Sequence, residues 1–338
     1  TQANVANAIA IGSVARVFGD NSIALGRYSS AGQTNGVAIG WTADANQDKS
    51  VAIGYNTYAG VGGVQVGTSS TVFAGNFRGA FRRGTTLVGN EATSGGLYST
   101  VIGNTSKLLA NQNIKVGGFL GFGTFTAQGA FSNLIGSYNT VGSLADTNPY
   151  NNIAVSVVGS ANDVQNSNGV FVNGYGNTVS NSYDGQINLA GMTDASSAGI
   201  AALVKDPATK LGQVGVVGAG NTLDSANNTF VVGVRNKVSN ARLSQVSGFN
   251  QIANDIENSF IAGSGSTVNN ASSVLAMGTN QVIGTAGAAG NTANNSILLG
   301  DNINYAQTAS NQDSVAIGND TKVNSGAVAV GVSAQATG

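Results

Sequence analysis

The chain has no cysteine and no histidine, and only 9% of its 338 residues are charged. Disulfides, thiolate or imidazole metal sites, and catalysis by a thiol or an imidazole are therefore excluded. The net charge of -1 lacks the basic excess that is typical of nucleic-acid-binding proteins. Low charge combined with many branched aliphatic residues is also unlike a disordered chain. We accordingly expect no metal, no cofactor and no nucleic-acid partner.

Long hydrophobic runs and a leader sequence are absent as well. No stretch reaches the roughly eighteen uninterrupted apolar residues of a membrane-spanning helix, and no signal-peptide pattern opens the chain. A repeat pattern is already under way at Ala8–Gly12 and continues to Gly338. We therefore expect the chain to be a fragment of a longer protein.

A short apolar stretch that ends in glycine recurs along nearly the whole chain, as in Val51–Gly54, Phe230–Gly233 and Val315–Gly318. The residue five places after the glycine is usually small or apolar too. The spacing is fourteen residues early in the chain, where it also includes Gly75, Gly89, Gly103 and Gly117, and fifteen residues later. The repeat glycines that we assign a structural role are Gly12, Gly26, Gly40, Gly54, Gly218, Gly233, Gly248, Gly263, Gly278, Gly318 and Gly331. Two registered columns of this kind predict an all-β solenoid of 14–15-residue coils.

Each coil has room for two short strands and two tight turns. Glycine suits the turn after the first strand because it reaches positive φ without a Cβ clash. The triplet before the glycine is apolar at every position, which predicts burial on both faces of the strand. One face would point into the coil and the other would be covered by another chain, so we expect a cyclic homo-oligomer.

Four segments carry a family resemblance: Asn21–Gly26, Lys49–Gly54, Asp313–Gly318 and Gly326–Gly338. They resemble the YadA-like head repeats of trimeric autotransporter adhesins. The resemblance implies a left-handed parallel β-roll, built as one head domain over residues 1–338 and assembled as a homotrimer of identical chains. It also implies display on the outer membrane of a Gram-negative bacterium, with a stalk and a membrane anchor outside this fragment.

The same resemblance implies a non-enzymatic function, the multivalent attachment of a bacterium to host surfaces. The partner classes that it suggests are collagen, fibronectin, laminin and carcinoembryonic-antigen-related adhesion molecules. Two alternatives remain open. The head could be a spacer without a ligand, or it could be a saccharide binder or hydrolase on a β-solenoid, which would need clustered carboxylates in a groove. The small number of acidic residues argues against the hydrolase, and we predict no catalytic residue.

Insertions interrupt the repeat near residues 60–84, 117–135, 142–156 and 184–213. The first insertion combines aromatic and cationic side chains, and aromatic and arginine residues are favoured anchors at interfaces. Its candidate ligand-binding residues are Phe77, Arg78, Phe81, Arg82 and Arg83. The arginines could instead pair with acidic residues of a neighbouring chain or remain solvated.

The second insertion contributes the candidates Phe119, Phe122 and Phe125, which predict either an exposed apolar patch or a widened trimer core. The insertion at 142–156 contains a predicted turn around Ala145–Tyr150. In the longest insertion, residues 193–204 predict one short helix capped by Asp194 or Ser196. This helix could carry a binding function or could brace adjacent chains.

Overall fold

The computed structural model describes residues 2–3, 5–69, 71–72, 84–110, 128–148, 151–182, 213–287, 293–305, 311–324 and 326–336. These residues form two compact units, one up to Gly169 and the other from Val170 onward. Strands and turns make up the described residues of both units. Within these ranges no helix is long and apolar enough to cross a membrane.

Unit 1 consists of two parallel sheets whose strands alternate along the chain. The strands that precede or include the repeat glycines form the glycine sheet: β2 (Ile9–Ile11), β4 (Ile23–Leu25), β6 (Val37–Ile39), β8 (Val51–Tyr55), β10 (Val64–Thr68), β12 (Thr86–Asn90), β14 (Thr100–Ile102), β16 (Asn133–Ile135) and β18 (Ser156–Ser160). The strands between them form the opposite sheet: β1 (Gln2–Ala3), β3 (Arg16–Val17), β5 (Ser30–Ala31), β7 (Asp44–Ala45), β9 (Tyr58–Ala59), β11 (Thr71–Val72), β13 (Thr93–Ser94), β15 (Lys107–Leu108), β17 (Thr140–Val141) and β19 (Asp163–Gln165).

Unit 2 repeats this arrangement. Its glycine sheet contains β20 (Val170–Tyr175), β22 (Val214–Ala219), β24 (Phe230–Val234), β26 (Gln245–Phe249), β28 (Phe260–Ser264), β30 (Leu275–Thr279), β33 (Ile297–Leu299), β36 (Val315–Ile317) and β38 (Val328–Val330). Its opposite sheet contains β21 (Thr178–Ser180), β23 (Thr222–Asp224), β25 (Lys237–Arg242), β27 (Ile252–Glu257), β29 (Thr267–Ser272), β31 (Val282–Ile283), β32 (Ala293–Asn294), β34 (Asn304–Tyr305), β35 (Asn311–Gln312), β37 (Lys322–Val323) and β39 (Gln335–Ala336).

The interior of unit 1 is narrow and is filled mainly by one aliphatic residue from each strand. The middle residue of each triplet, as in Ala24, Ala38 and Ala52, is fully buried. The predicted second column is buried as well, from Val17 and Ala31 through Leu108 to Val164. Neighbouring coils pair in parallel and in register, Ala24 with Ala38 and Ala38 with Ala52. The predicted parallel β-solenoid is therefore confirmed.

In each unit the repeat glycines form a stacked column, with φ between about 119° and 148° in the described coils. A Cβ on Gly26 would lie 2.3 Å from the carbonyl oxygen of Gly40, and one on Gly233 would lie 1.9 Å from that of Gly248. Both conformation and close stacking therefore require glycine, since Cβ atoms do not approach backbone oxygens this closely. The positive φ that the sequence predicted is confirmed.

The pairing of the coils corrects two of the glycines that the fourteen-residue spacing assigned to this column. Gly89 pairs with Gly67, so the place predicted for Gly75 belongs to Gly67. The glycine stacked after Gly103 is Gly136 and not Gly117. Each insertion shifts the residue number at which the next repeat glycine falls. The strands still keep their register, because a coil can lengthen at its turns. Two further long coils, from Gly278 to Gly300 and from Gly300 to Gly318, were not predicted.

Unit 2 differs from the predicted coil of two strands. In three of its coils the second strand extends to six residues, with a left-handed residue such as Asn240 or Asp255 at the bend. The residue after the bend points inward and forms a third buried column, which consists of Ala226, Ala241, Ile256 and Ala271. The extra residue of the longer repeat thus adds a third inner side to the coil.

Buried asparagine side chains connect neighbouring coils of unit 2. The Asn221 Oδ1 atom accepts hydrogen bonds from the backbone N–H and the Nδ2 of Asn236, both at 3.0 Å. Asn236 Nδ2 also donates to the Gly248 carbonyl at 3.0 Å. Each amide therefore ties its own coil to the next coil and satisfies buried backbone groups.

Three parts of the fold prediction stay predictions: the left hand of the roll, the trimer, and a single domain over residues 1–338. The predicted helix over 193–204 lies outside the described residues.

Candidate functional site

The residue directly before each repeat glycine lies on the outer face of the glycine sheet. In unit 1 this position is apolar in every described coil, and we call the row the outer ridge: Ile11, Leu25, Ile39, Ile53, Val66, Val88, Ile102, Ile135 and Val158. Ile11 is 58% exposed and Ile135 44% exposed, whereas the inward neighbour Leu134 is fully buried. A single chain thus buries only one face of each triplet. The predicted burial on both faces is not met within one chain and would require another molecule.

The corresponding row in unit 2 is less uniform. Asn173 and Ser247 interrupt it with polar side chains. An open groove of about 550 Å³ runs beside it, lined by residues that include Phe230, Gln245 and Phe260. A Cβ on Gly215 would lie 2.4 Å from the Phe230 ring, so this glycine makes room for the ring. The outer face of unit 2 therefore carries a groove beside this row.

The candidate ligand-binding residues Phe77, Arg78, Phe81, Arg82, Arg83, Phe119, Phe122 and Phe125 all lie outside the described residues. The ends of their two insertions are described, and they meet at one corner of unit 1. Tyr98 stacks on Phe131 with ring centroids 5.8 Å apart and an interplanar angle of 9°. A Cβ on Gly84 would also lie 2.8 Å from the Tyr98 ring. We call this place the insertion corner.

The turn predicted around Ala145–Tyr150 is confirmed as far as Asn148. The backbone N–H of Asn148 donates to the Asp146 Oδ1 atom at 2.9 Å, which closes a turn over the aspartate. Asn151 Nδ2 donates to both oxygens of the same carboxylate, at 3.1 and 3.0 Å. The Asp146 carboxylate therefore has a structural role in the loop.

Two other carboxyl groups have shifted pKa values. Burial raises the pKa of Asp44 from 3.8 to about 6, and a hydrogen bond with the Ser30 side chain lowers it in part. The Asp44 Oδ1 atom is buried without a hydrogen-bond partner. The Thr279 hydroxyl and backbone N–H hold the pKa of exposed Asp301 below its usual value. Over the described ranges, no group of three or more acidic residues could hold a metal ion.

The fold and its exposed ridge define a class, the parallel β-solenoids built from short repeated coils. Within this class, residues 6–29 and 31–57 match the YadA head domain repeat, one copy in each stretch. These coils are YadA-like head repeats, and the resemblance to the heads of trimeric autotransporter adhesins is confirmed. No curated protein matches the chain. The family is one of adhesins displayed outside the cell, which supports the coarser part of the functional prediction.

Proposed function

We propose that this chain is the head of a homotrimeric adhesin that attaches a Gram-negative bacterium to host cells or extracellular matrix. The observation that carries the proposal is the coincidence of YadA head repeats with an apolar outer ridge in the same coils. Three chains that face one axis with this ridge would remove its side chains from water. The outer membrane would hold the head through an anchor outside residues 1–338.

The ligand is proposed to be a protein, from the classes of collagen, fibronectin, laminin or carcinoembryonic-antigen-related adhesion molecules. Its contact would lie at the insertion corner, because both insertions with candidate aromatic and arginine residues begin or end there. Three copies of a weak contact on one trimer would bind with avidity far above that of a single site. No covalent step is needed for this function.

The test is binding of the assembled protein to the four immobilised ligand classes, measured by surface plasmon resonance. We expect saturable binding to at least one class. Replacing Arg78, Arg82 and Arg83 together by alanine, or Phe119, Phe122 and Phe125 together by alanine, should weaken binding about tenfold or more. Arg16→Ala is the matched control, because it removes an exposed arginine from β3, several coils before the first insertion.

Three results would contradict the proposed function or its proposed site. Failure to bind all four classes would favour a spacer head without a ligand. Undiminished binding by both triple variants, with the native molecular mass retained, would remove the insertions from the contact. Cleavage of a glycan that is lost on replacing a carboxylate would overturn the non-enzymatic assignment.

A further inference from the structure

Four exposed side chains in three successive coils of unit 1 form an aromatic patch: Arg27, Tyr28, Trp41 and Tyr55. Arg27, Trp41 and Tyr55 each follow directly after a repeat glycine, and Tyr28 is the next residue after Arg27. Trp41 is 51% exposed, Tyr55 46% and Tyr28 45%. Each of these residues is therefore about half exposed in the single chain, although burial of aromatic side chains is strongly favourable.

The side chains of the patch orient one another. The rings of Trp41 and Tyr55 meet edge to face, with centroids 5.3 Å apart and planes at 67°. The guanidinium carbon of Arg27 lies 4.9 Å from the centroid of Tyr28, and Arg27 Nη2 donates to the Tyr28 hydroxyl at 3.5 Å. Only one of the guanidinium N–H groups is used in this contact, so others remain to face a ligand.

The backbone under the patch is held by bonds between coils. The carbonyls of Arg27 and Trp41 accept hydrogen bonds from Thr42 and Asn56, both at 3.0 Å. The carbonyl of Tyr55 accepts one from Ser69 at 2.8 Å. A ligand would therefore meet groups whose positions are already set, which lowers the ordering cost of binding.

We infer that the aromatic patch binds an acidic saccharide. The face of an aromatic ring carries the negative part of its quadrupole, and the C–H groups on one face of a sugar ring are weakly positive. Sugar hydroxyls can accept from the remaining Arg27 N–H groups. The guanidinium pairs best with a carboxylate, in a planar two-point geometry. Since the patch holds a cation and no carboxylate, its charge selects a sugar acid over a neutral sugar.

The size of the patch favours a saccharide over a protein. Its three coils span roughly 10 Å along the stack, at about 4.8 Å for each step. A standard protein interface needs about 800 Å² and some 20–30 residues on each partner. Four residues are too few for that and are sufficient for one to three sugar rings. The inference goes beyond the proposed protein binding and does not depend on it.

The first experiment applies the assembled protein to an array of sialylated, uronic-acid-bearing and neutral oligosaccharides. We expect retention on at least one acidic class, about tenfold stronger than on the neutral oligosaccharide of the same backbone. Arg27→Gln should remove the preference for the acidic sugar, and Tyr55→Ala should weaken binding to both. Tyr138→Ala, which changes a tyrosine that is 65% exposed and lies outside the patch, should leave retention unchanged. Equal retention of acidic and neutral sugars, or none, would overturn the inference.

The second experiment uses Trp41, the single tryptophan of the chain, as a reporter. We expect acrylamide to quench its fluorescence in the assembled protein, and the best acidic sugar of the array to protect it. If Trp41 is shielded before any sugar is added, another chain covers the patch and the inference is wrong.

A third experiment distinguishes saccharide binding by the aromatic patch from the proposed binding of a protein ligand. The patch variants are tested against the four protein ligands after enzymatic removal of their glycans. Unchanged binding is expected, and the two functions are then independent. Loss of binding to a deglycosylated protein would make the patch a protein contact and would overturn the saccharide assignment.

Discussion

At the scale of single residues, the turns impose a requirement that the sequence pattern only partly revealed. Two positions in each coil, five before and two after the repeat glycine, take left-handed φ near 50–60°, as at Asn21 and Tyr28. Asparagine is common there because its side chain tolerates this conformation. The sequence indicated turn-forming residues in general but not these two positions. Asparagine, aspartate and glycine recur at these offsets, although residues such as Val14 and Thr42 occupy them as well.

Asp44 is the residue with the clearest predicted effect of pH. Its folded-state pKa of about 6 is raised above the unfolded value, because burial disfavours the ionised carboxylate. Its contribution to stability is therefore full below about pH 4 and is lost as the pH rises through 6. Asp44→Asn should stabilise the protein at pH 7.5 by about 1 kcal/mol, a figure reduced for partial exposure. The gain should vanish at pH 4, as measured by urea unfolding at both pH values.

The control for this pH effect is Asp48→Asn, which removes the same charge at an exposed position four residues further on. It should not reproduce the pH-dependent gain. Equal stabilisation by both variants at pH 7.5 would show that net charge, and not the burial of Asp44, is responsible.

At the scale of the coil, the glycine column is the element that sets how closely neighbours stack. Gly233→Ala would place a Cβ 1.9 Å from the Gly248 carbonyl oxygen at a backbone φ of 127°. We expect a loss of more than about 3 kcal/mol in the free energy of unfolding, from strain and from separation of the two coils. Thermal unfolding followed by circular dichroism measures the loss.

Gly287→Ala provides the comparison. Its φ is 69°, and an added Cβ would have no atom within 4 Å, so only local backbone strain of about 1 kcal/mol is expected. Similar destabilisation by the two variants would mean that conformation alone, without the stacking contact, explains the glycine column.

The buried columns within a coil were predicted from the sequence in unit 1, and one such column was missed in unit 2. The buried column of Val17, Ala31 and Ala45 followed directly from spacing, because parallel in-register coils repeat the same environment. The third inner column of unit 2 was not predicted. It depends on one added residue and on a left-handed bend at positions such as Asp255, which spacing does not reveal.

At the scale of the whole molecule, the outer ridge predicts the oligomeric state. Ile102 and Ile135 are neighbours in register and are 39% and 44% exposed. Replacing both by lysine should leave each chain folded, since their side chains point away from the interior. It should abolish the trimer, because burying two unpaired ammonium groups is strongly unfavourable. Sedimentation equilibrium should give 33.6 kDa for the variant and three times that mass for the unchanged protein.

Leu144→Lys is the control for this prediction, because Leu144 is 47% exposed but lies in the loop after β17 and off the ridge. It should remain trimeric. A trimer that survives the two ridge lysines would place the interface elsewhere and would withdraw the main support for the proposed assembly.

The sequence by itself determined the repeat, the parallel solenoid, the buried columns and the family resemblance. All of these follow from local spacing, because each coil sees only its neighbours. The tertiary structure decided which glycines stack, since Gly67 and Gly136 take their places only once strands pair across insertions. It also decided that the outer ridge is exposed in one chain and that the rings of Trp41 and Tyr55 meet edge to face. These features depend on how the coils pair and where their side chains point. The sequence of a single repeat specifies neither.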